Sequence, residues 1–497
     1  MPPTRTVAWR RFLPLRRDET PSPLSRGSTL HYEMGKKTKS VTKAKQKDRK
    51  KVVPTDSSTL VIKSEEHLQQ WIDKANVNMH LGDMEGAIKI YDAISQMYRS
   101  VIQMDEANMA ATEEEKIRKR ISWAKIKCST GEAYVSMGLL DRGREQFREG
   151  IGILSVAIAR TITEEALEEE SHDVLAGLYM YLGQSTTEDG KEALQWYNKG
   201  VEELNLSLNI LMKRTSQEAT MIDDDAVSSE TSPLEEMILE TKNRLCGAYC
   251  AMAELYLTDL CFELNAEAQC EAALQRALQL DPSSPEPFQL LANLRLVQSR
   301  GEEATTYILD AYGRIEAGCI ALASLVGFGI DDGLATELNS SEQEAADRLP
   351  GFDFRIQTAK LLLECANACV SLNNENDTNM KDEEDIGNKC AEAAIQVLGS
   401  LMAENDEVIE VWFLIGCAAM ASNPPNSDMA IYHWTKAIEM LSKIKESLEE
   451  KIRVGNGNTE GGSANIQEEL DAIQAQIEEI KEKQQGFIHE EVETSMS

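Results

Sequence analysis

Residues 285–312 read PEPFQLLANLRLVQSRGEEATTYILDAY, and the spacing of that stretch decides the fold. Phe288, Leu291, Ala292, Ala304, Ile308 and Ala311 fall where a helix-turn-helix repeat of roughly 34 residues places its aromatic, Leu, small, Ala, bulky and Ala positions. The preceding frame, opening near Cys250, supplies Ala253, Tyr256 and Ala277, and Pro282 stands at the helix-ending position before the next repeat begins. Small residues at these places let two antiparallel helix backbones approach, and the bulky ones fill the groove beside them. No such repeat buries its apolar face alone, so several must stack.

The same frame recurs along the chain. Trp71, Ala75, Gly82, Ala87 and Tyr91 give one copy, and Gly131, Tyr134, Gly138, Gly143, Phe147 and Gly150 a second. Ala176, Tyr179, Gly183, Ala193, Tyr197 and Gly200 make a third, with extra residues at 185–189 in its turn. Cys270 and Leu274 follow a similar insertion in the copy opened by Ala253. Ala366, Ala391 and Ile395 form a degenerate copy, and Trp412, Ile415, Gly416, Ala430, Trp434 and Ala437 a better one. One set alone would be an ordinary amphipathic helix. The whole rhythm predicts an all-α tetratricopeptide-repeat superhelical solenoid of about seven helix pairs, with a disordered basic N-terminal tail and a C-terminal capping helix.

Composition shifts divide the chain into a basic tail (1–62), N-terminal repeats (63–210), an acidic linker (211–240), central repeats (241–317), an irregular connector (318–353), C-terminal repeats (354–448) and a flexible break with a charged terminal helix (449–497). That helix is expected over about 466–485, covering the apolar end of the array. Asp223-Asp224-Asp225 and Asp382-Glu383-Glu384-Asp385 mark two acidic insertions, read as loops over 215–236 and 373–388, and Ser228 and Ser229 stand in an acidic context that a kinase could use. No apolar run is long enough to span a bilayer, so no membrane partner is expected. The Arg-rich first 17 residues read either as a transit peptide or, since Met34 opens a plausible start, as an upstream extension.

Charge separates tail from body. Through Lys51 there are 15 Lys or Arg against 4 Asp or Glu, a balance of +11, which leaves −44 on the remainder of a chain whose total is −33. Lys36, Lys37, Lys43, Lys45, Lys47, Arg49, Lys50 and Lys51 form a candidate localisation signal that an import receptor would read; an RNA-touching or merely solubilising tail has the same composition. The acidic body repels phosphate, so direct nucleic-acid binding by the repeats is not expected and a basic polypeptide is the better partner. Acidity of this kind also keeps proteins soluble.

First helices of tetratricopeptide pairs line the concave groove. On this chain the groove positions include Glu132, Glu170, Glu254, Glu286 and Glu410 with Asp259 nearby, interleaved with Met79, Met180, Leu257, Phe413 and Met420. Carboxylates would pair Lys and Arg while the Met and apolar side chains adapt to their stems. A groove that clamps acidic chaperone tails would need Lys or Arg beside Asn76 and Asn293; Ile72, Cys128 and Gln289 stand there instead.

Catalytic signatures are missing: there is no phosphate loop, nucleophile elbow, zinc-protease helix or dinucleotide fingerprint. The six histidines have no partner at metal spacing, and Cys246 with Cys250, like Cys365 with Cys369, lie one helical turn apart, where small Cys commonly replaces Ala in a helical core. Neither an enzyme nor a cofactor is expected, and the scattered cysteines suit a reducing compartment.

Longer runs carry a resemblance. Ala253-Glu254-Leu255-Tyr256-Leu257-Thr258-Asp259-Leu260-Cys261, the segment Phe354-Arg355-Ile356-Gln357-Thr358-Ala359-Lys360-Leu361-Leu362-Leu363-Glu364, and Glu404-Asn405-Asp406-Glu407-Val408-Ile409-Glu410-Val411-Trp412-Phe413 resemble the dedicated assembly chaperones of large-subunit ribosomal protein four. The resemblance covers roughly 246–444. It implies a helical solenoid that binds the newly made basic ribosomal protein through its long internal loop, keeps it soluble and accompanies it from cytoplasm to nucleus. A general interaction scaffold and an enzyme's regulatory subunit remain the rival readings of the repeats.

Overall fold

The chain is described by a computed structural model over residues 65–107, 112–158, 162, 164–219, 232–327, 338–373, 380–454 and 460–496; the basic tail lies outside these residues. Among the described residues there are seventeen helices. They run α1 (Glu65–His80), α2 (Met84–Ala107), α3 (Glu113–Ser136), α4 (Leu140–Ile158), α5 (Glu165–Ser185), α6 (Gly190–Ala219), α7 (Pro233–Leu257), α8 (Ala266–Leu280), α9 (Glu286–Val297), α10 (Gly301–Gly313), α11 (Glu316–Ser324), α12 (Ser340–Asp347), α13 (Phe352–Asn373), α14 (Met380–Glu404), α15 (Ile409–Ala421), α16 (Ser427–Val454) and α17 (Glu460–Met496). Among the described residues no helix is long and apolar enough to cross a membrane.

Seven pairs carry the repeat frame: α1/α2, α3/α4, α5/α6, α7/α8, α9/α10, α13/α14 and α15/α16. One contact explains the small-residue positions. A Cβ on Gly131 of α3 would lie 2.3 Å from the Phe147 ring of α4, one on Gly183 of α5 would lie 2.9 Å from Tyr197 of α6, and one on Gly416 of α15 would lie 2.3 Å from Trp434 of α16. Each aromatic ring of a second helix therefore rests directly on the backbone of the first. Van der Waals contact at that distance is open only to Gly, so the sequence places Gly where the ring is large. Ala292 and Ile308, both fully buried, occupy corresponding places in α9 and α10.

The chain divides within α7 into two compact units, one ending at Ala248 and the other beginning at Tyr249. In the first, α3 packs on both α4 and α5, and α5 on α6. Thr112 caps α3, its hydroxyl accepting from the Glu115 N–H at 3.2 Å, and Gly82 and Gly138 take positive φ (77° and 75°) in the turns after α1 and α3, a conformation that suits Gly.

In the second unit, the first helices form a row in which α9 packs on α13 and α13 on α15. The stretch read as a connector contains α11 and α12. α11 packs on α14, in the layer of second helices, and α12 on α11, where Gly318 allows close approach: a Cβ there would sit 2.5 Å from the Ala345 carbonyl. Buried polar contacts set the register of the row. Gln289 donates to the Phe354 carbonyl at 2.8 Å and to the Thr358 hydroxyl at 2.6 Å, while Arg355, 1% exposed, bonds the Pro350 carbonyl, the Ser400 hydroxyl and the Glu404 carboxylate.

Several expectations change. The loop read over 215–236 is shorter, since α6 runs to Ala219 and α7 begins at Pro233, and its acids at 223–225 with Ser228 and Ser229 lie outside the described residues. Residues 382–385 belong to the opening turns of α14 and not to a loop. The terminal helix runs well beyond 466–485 in both directions; Leu470, Ile473, Ile477 and Ile480 form its buried stripe in the core shared with α16, with Lys445 bonding Gln474 at 2.7 Å.

Candidate functional site

The two units present polar clusters on their first helices. In the N-terminal unit the cluster spans α1, α3, α5 and the start of α7. Tyr91 donates to Asn76 at 2.6 Å and also meets Ser129, and burial pushes its phenol up to about 12. Asn76, which a clamp would turn toward a ligand, is thus engaged by its own repeat. Glu132 of α3 is half-buried and bonds the Tyr181 hydroxyl of α5; desolvation raises its carboxyl above the ordinary range, opposed by that bond and by nearby His80. Burial likewise raises the Tyr181 phenol and the Cys128 thiol beside it. Arg244 of α7 pairs with Asp173 of α5 and donates to the Asp173 carbonyl at 3.3 Å, its guanidinium lying over Gly177.

In the C-terminal unit Glu254 of α7 is solvent-accessible yet surrounded by enough protein that desolvation raises its carboxyl. Glu364 of α13 is raised for the same reason, with Lys360 pulling the other way. Lys360 itself bonds Glu410 of α15 at 2.7 Å. Among the described residues no salt bridge engages Glu132, Glu254 or Glu364. A partly desolvated carboxylate with no ion pair of its own is one that an incoming Lys or Arg would stabilise.

The other expected groove residues separate. Glu170 pairs with Lys125 at 2.7 Å. Met79 packs against the core formed by α1 and α2. Met180 fills the space a side chain on Gly200 would need, so it serves the α5/α6 contact. Leu257 and Glu286 are half-buried, and Asp259 is exposed in the turn after α7. Phe413 is a correction: it is 2% exposed, in the core and not on the groove, because α15 is apolar around nearly its whole circumference and its period does not mark an outer face. Its neighbour Trp412 is the half-buried one, donating to the Asp406 carbonyl at 2.7 Å with its ring 5.2 Å from that of His433. Gln289, the expected clamp position of α9, is a structural bridge to α13.

Asp173, Tyr181, Arg244, Lys360 and Glu364 join these clusters without having been singled out from the sequence. Arg244 and Asp173 lie 71 residues apart, and Lys360 and Glu410 fifty, so no local spacing announces either pair. Glu364 closes one of the resembling runs quoted above, the one signal that pointed to it. The clusters offer carboxylates and phenols interrupted by single cations, an arrangement that can hold a basic chain and bond its backbone. Cys246, Cys250 and Cys365 lie in the core, and no group of three or more His, Cys, Asp or Glu among the described residues is placed to hold a metal ion.

No family model matches the chain. It is similar to curated proteins named probable assembly chaperone of rpl4: one from Schizosaccharomyces pombe, 27% identical over 297 residues, 59% of this chain and 63% of the relative, and one from Emericella nidulans, 22% identical over 386 residues, 77% of this chain and 72% of the relative. The matched region thus spans less than two thirds of the fission-yeast protein. A solved assembly chaperone of RpL4 (Acl4), residues 1–338, is 22% identical, covering 70% of this chain and 94% of that one with a TM-score of 0.45. The relatives bear out the family resemblance read from the sequence, and they are named as chaperones and not as enzymes.

Proposed function

Starting from a chain that is a relative of curated rpl4 assembly chaperones, we propose that this protein is a dedicated chaperone of large-subunit ribosomal protein four, holding the basic internal loop of its client on the polar clusters of its first helices. The observation that supports the reading is a set of first-helix carboxylates that no salt bridge among the described residues engages, Glu132, half-buried against Tyr181, in one unit and Glu254 and Glu364 in the other. A loop rich in Lys and Arg otherwise binds RNA indiscriminately or aggregates, and an acidic surface competes with phosphate for it until pre-ribosomal RNA offers a better polyanion. The same reading assigns the client's solubility to this contact and its passage from cytoplasm to nucleus to the complex, with Lys36 to Lys51 as the signal an import receptor would take.

Co-expression with ribosomal protein four, with and without its internal loop, followed by size-exclusion chromatography at low and moderate salt, tests the reading. A one-to-one peak that needs the loop and weakens with salt is expected, as is a weaker complex on Glu254→Lys with Asp259→Lys. Absence of co-elution returns the chain to a general repeat scaffold.

A further inference from the structure

The turn between α7 and α8 is built unlike a solvent-facing turn. Phe262 is 98% exposed and Leu264 90% exposed, while turn positions of this kind ordinarily carry Gly, Asn, Asp or Ser. The segment is nevertheless held. Leu260 is buried and its N–H donates to the Leu255 carbonyl at 2.8 Å, Glu263 N–H donates to the Leu260 carbonyl at 2.9 Å, Ala266 N–H to the Glu263 carbonyl at 3.1 Å, and Asn265 adopts the left-handed conformation (φ 65°) that starts α8. The two apolar side chains are thus presented on a fixed backbone.

The next turn of the same edge is tied to this one. Gln298, in the turn between α9 and α10, bonds Glu267 at the start of α8, and its neighbour Val297 is 72% exposed. Asp259, Glu263 and Glu267 punctuate the first turn, and no Lys or Arg occurs between Thr258 and Gln275. Phe262 and Leu264 among acids match an apolar depression bordered by Lys or Arg, while Val297 adjoins Gln298, to which Arg295 and Arg300 donate at 2.9 and 3.1 Å. The turn follows directly on α7, whose last two turns carry Glu254.

We propose that Phe262, Leu264 and Val297 form a second contact with the client, docking on the basic surface of its folded body while the internal loop engages the polar clusters of the first helices. This rests on the chaperone reading above. It gives the complex two independent anchors, one electrostatic and one apolar, so that losing charge contacts to competing RNA does not by itself free the body.

The experiment compares the full chain with full-length ribosomal protein four and with a synthetic peptide of its internal loop. Phe262→Ser with Leu264→Ser, both at exposed positions, should weaken binding of the full-length client by about tenfold and leave the loop peptide unchanged. On the unmodified protein, the alkylation rate of exposed Cys261, followed by peptide mass spectrometry, should drop when the full-length client is bound and stay the same with the peptide. Unchanged client affinity in the double variant, undiminished Cys261 alkylation, or an equal loss for client and peptide each overturns the second contact. So does self-association of the free protein that the double variant abolishes, which would make a second copy the occupant. If neither client nor peptide binds the unaltered chain, the chaperone reading itself has failed and this contact goes with it.

Discussion

The unit ending at Ala248 and the unit beginning at Tyr249 share one packing rule and differ in what ties the repeats together. In the first, five pairs with at least one exposed partner reach between neighbouring segments, Arg99–Glu149, Arg118–Glu164, Lys125–Glu170, Arg144–Glu188 and Lys213–Glu165, beside two withdrawn cations, Arg120 with Glu106 and Lys127 with Glu149. In the second, the cations that pair across helices among the described residues are all withdrawn from solvent: Arg355 between α13 and α14, Arg295 with Glu271 and Glu303, and Lys360 with Glu410. Surface pairs in water contribute little each and are screened by salt, whereas a buried guanidinium stripped of its partners is costly. One repeat frame can therefore be fastened by many weak external links or by a few strong internal ones.

The largest expected effect is on the internal kind. Arg355→Ala removes a side chain that bonds Pro350, Ser400 and Glu404 together, and should destabilise the C-terminal unit by about 3 kcal/mol, a figure kept low because Glu404 can turn to water. Hydrogen exchange should accelerate in α13 and α14 and stay unchanged in α3 to α6. A loss under about 1 kcal/mol would erase the distinction between the units.

His433 sharpens the comparison through pH. Burial lowers its imidazole to about 4 from an ordinary 6.5, so between these values the unfolded chain binds a proton that the folded protein does not. Stability of the C-terminal unit should rise with pH across that window and level off above it, a swing of about 3 kcal/mol. Thermal unfolding of His433→Phe, a ring in the same apolar surroundings, should show this part of the pH dependence removed.

A smaller effect tests what the units share. Gly131→Ala and Gly416→Ala each drive a methyl group into a ring, Phe147 in one and Trp434 in the other, and each should cost roughly 1–3 kcal/mol. Equal losses by urea unfolding support a common lock; a loss confined to one unit breaks it.

The smallest effect is the external link. Arg144 bonds both oxygens of Glu188, at 2.8 and 3.0 Å, and Arg144→Ala should cost about 0.5–1 kcal/mol at low salt and less at high salt. Raising salt alone should speed exchange in the N-terminal unit more than in the other.

The fold was legible because the repeat imposes a contact that only a few residue types satisfy. Gly131 with Phe147 and Gly416 with Trp434 are sixteen and eighteen positions apart, within one helix hairpin, so spacing alone reveals them. The extent of α17 and the helical state of 382–385 were not, since acidic stretches satisfy both a solvated loop and a helix N-terminus. The site was legible in its acids and illegible in its cations. Glu132 and Glu254 fall at frame positions, whereas Arg244 reaches Asp173 and Lys360 reaches Glu410 across repeats, where the chain carries no periodic trace of the encounter. Phe413 was misplaced because a helix that is apolar all round has no amphipathic phase to read.

The placement of α11 and α12 has a further consequence. α11 enters the layer of second helices against α14, with α12 packed on α11, while α9 and α13 remain in contact, so the row that carries Lys360 and Glu364 proceeds as if nothing had been added. The array behaves as two decks with separate tolerances. One deck keeps its pitch while the other accepts new length, and a sequence can grow there without renegotiating the surface its ligand would use.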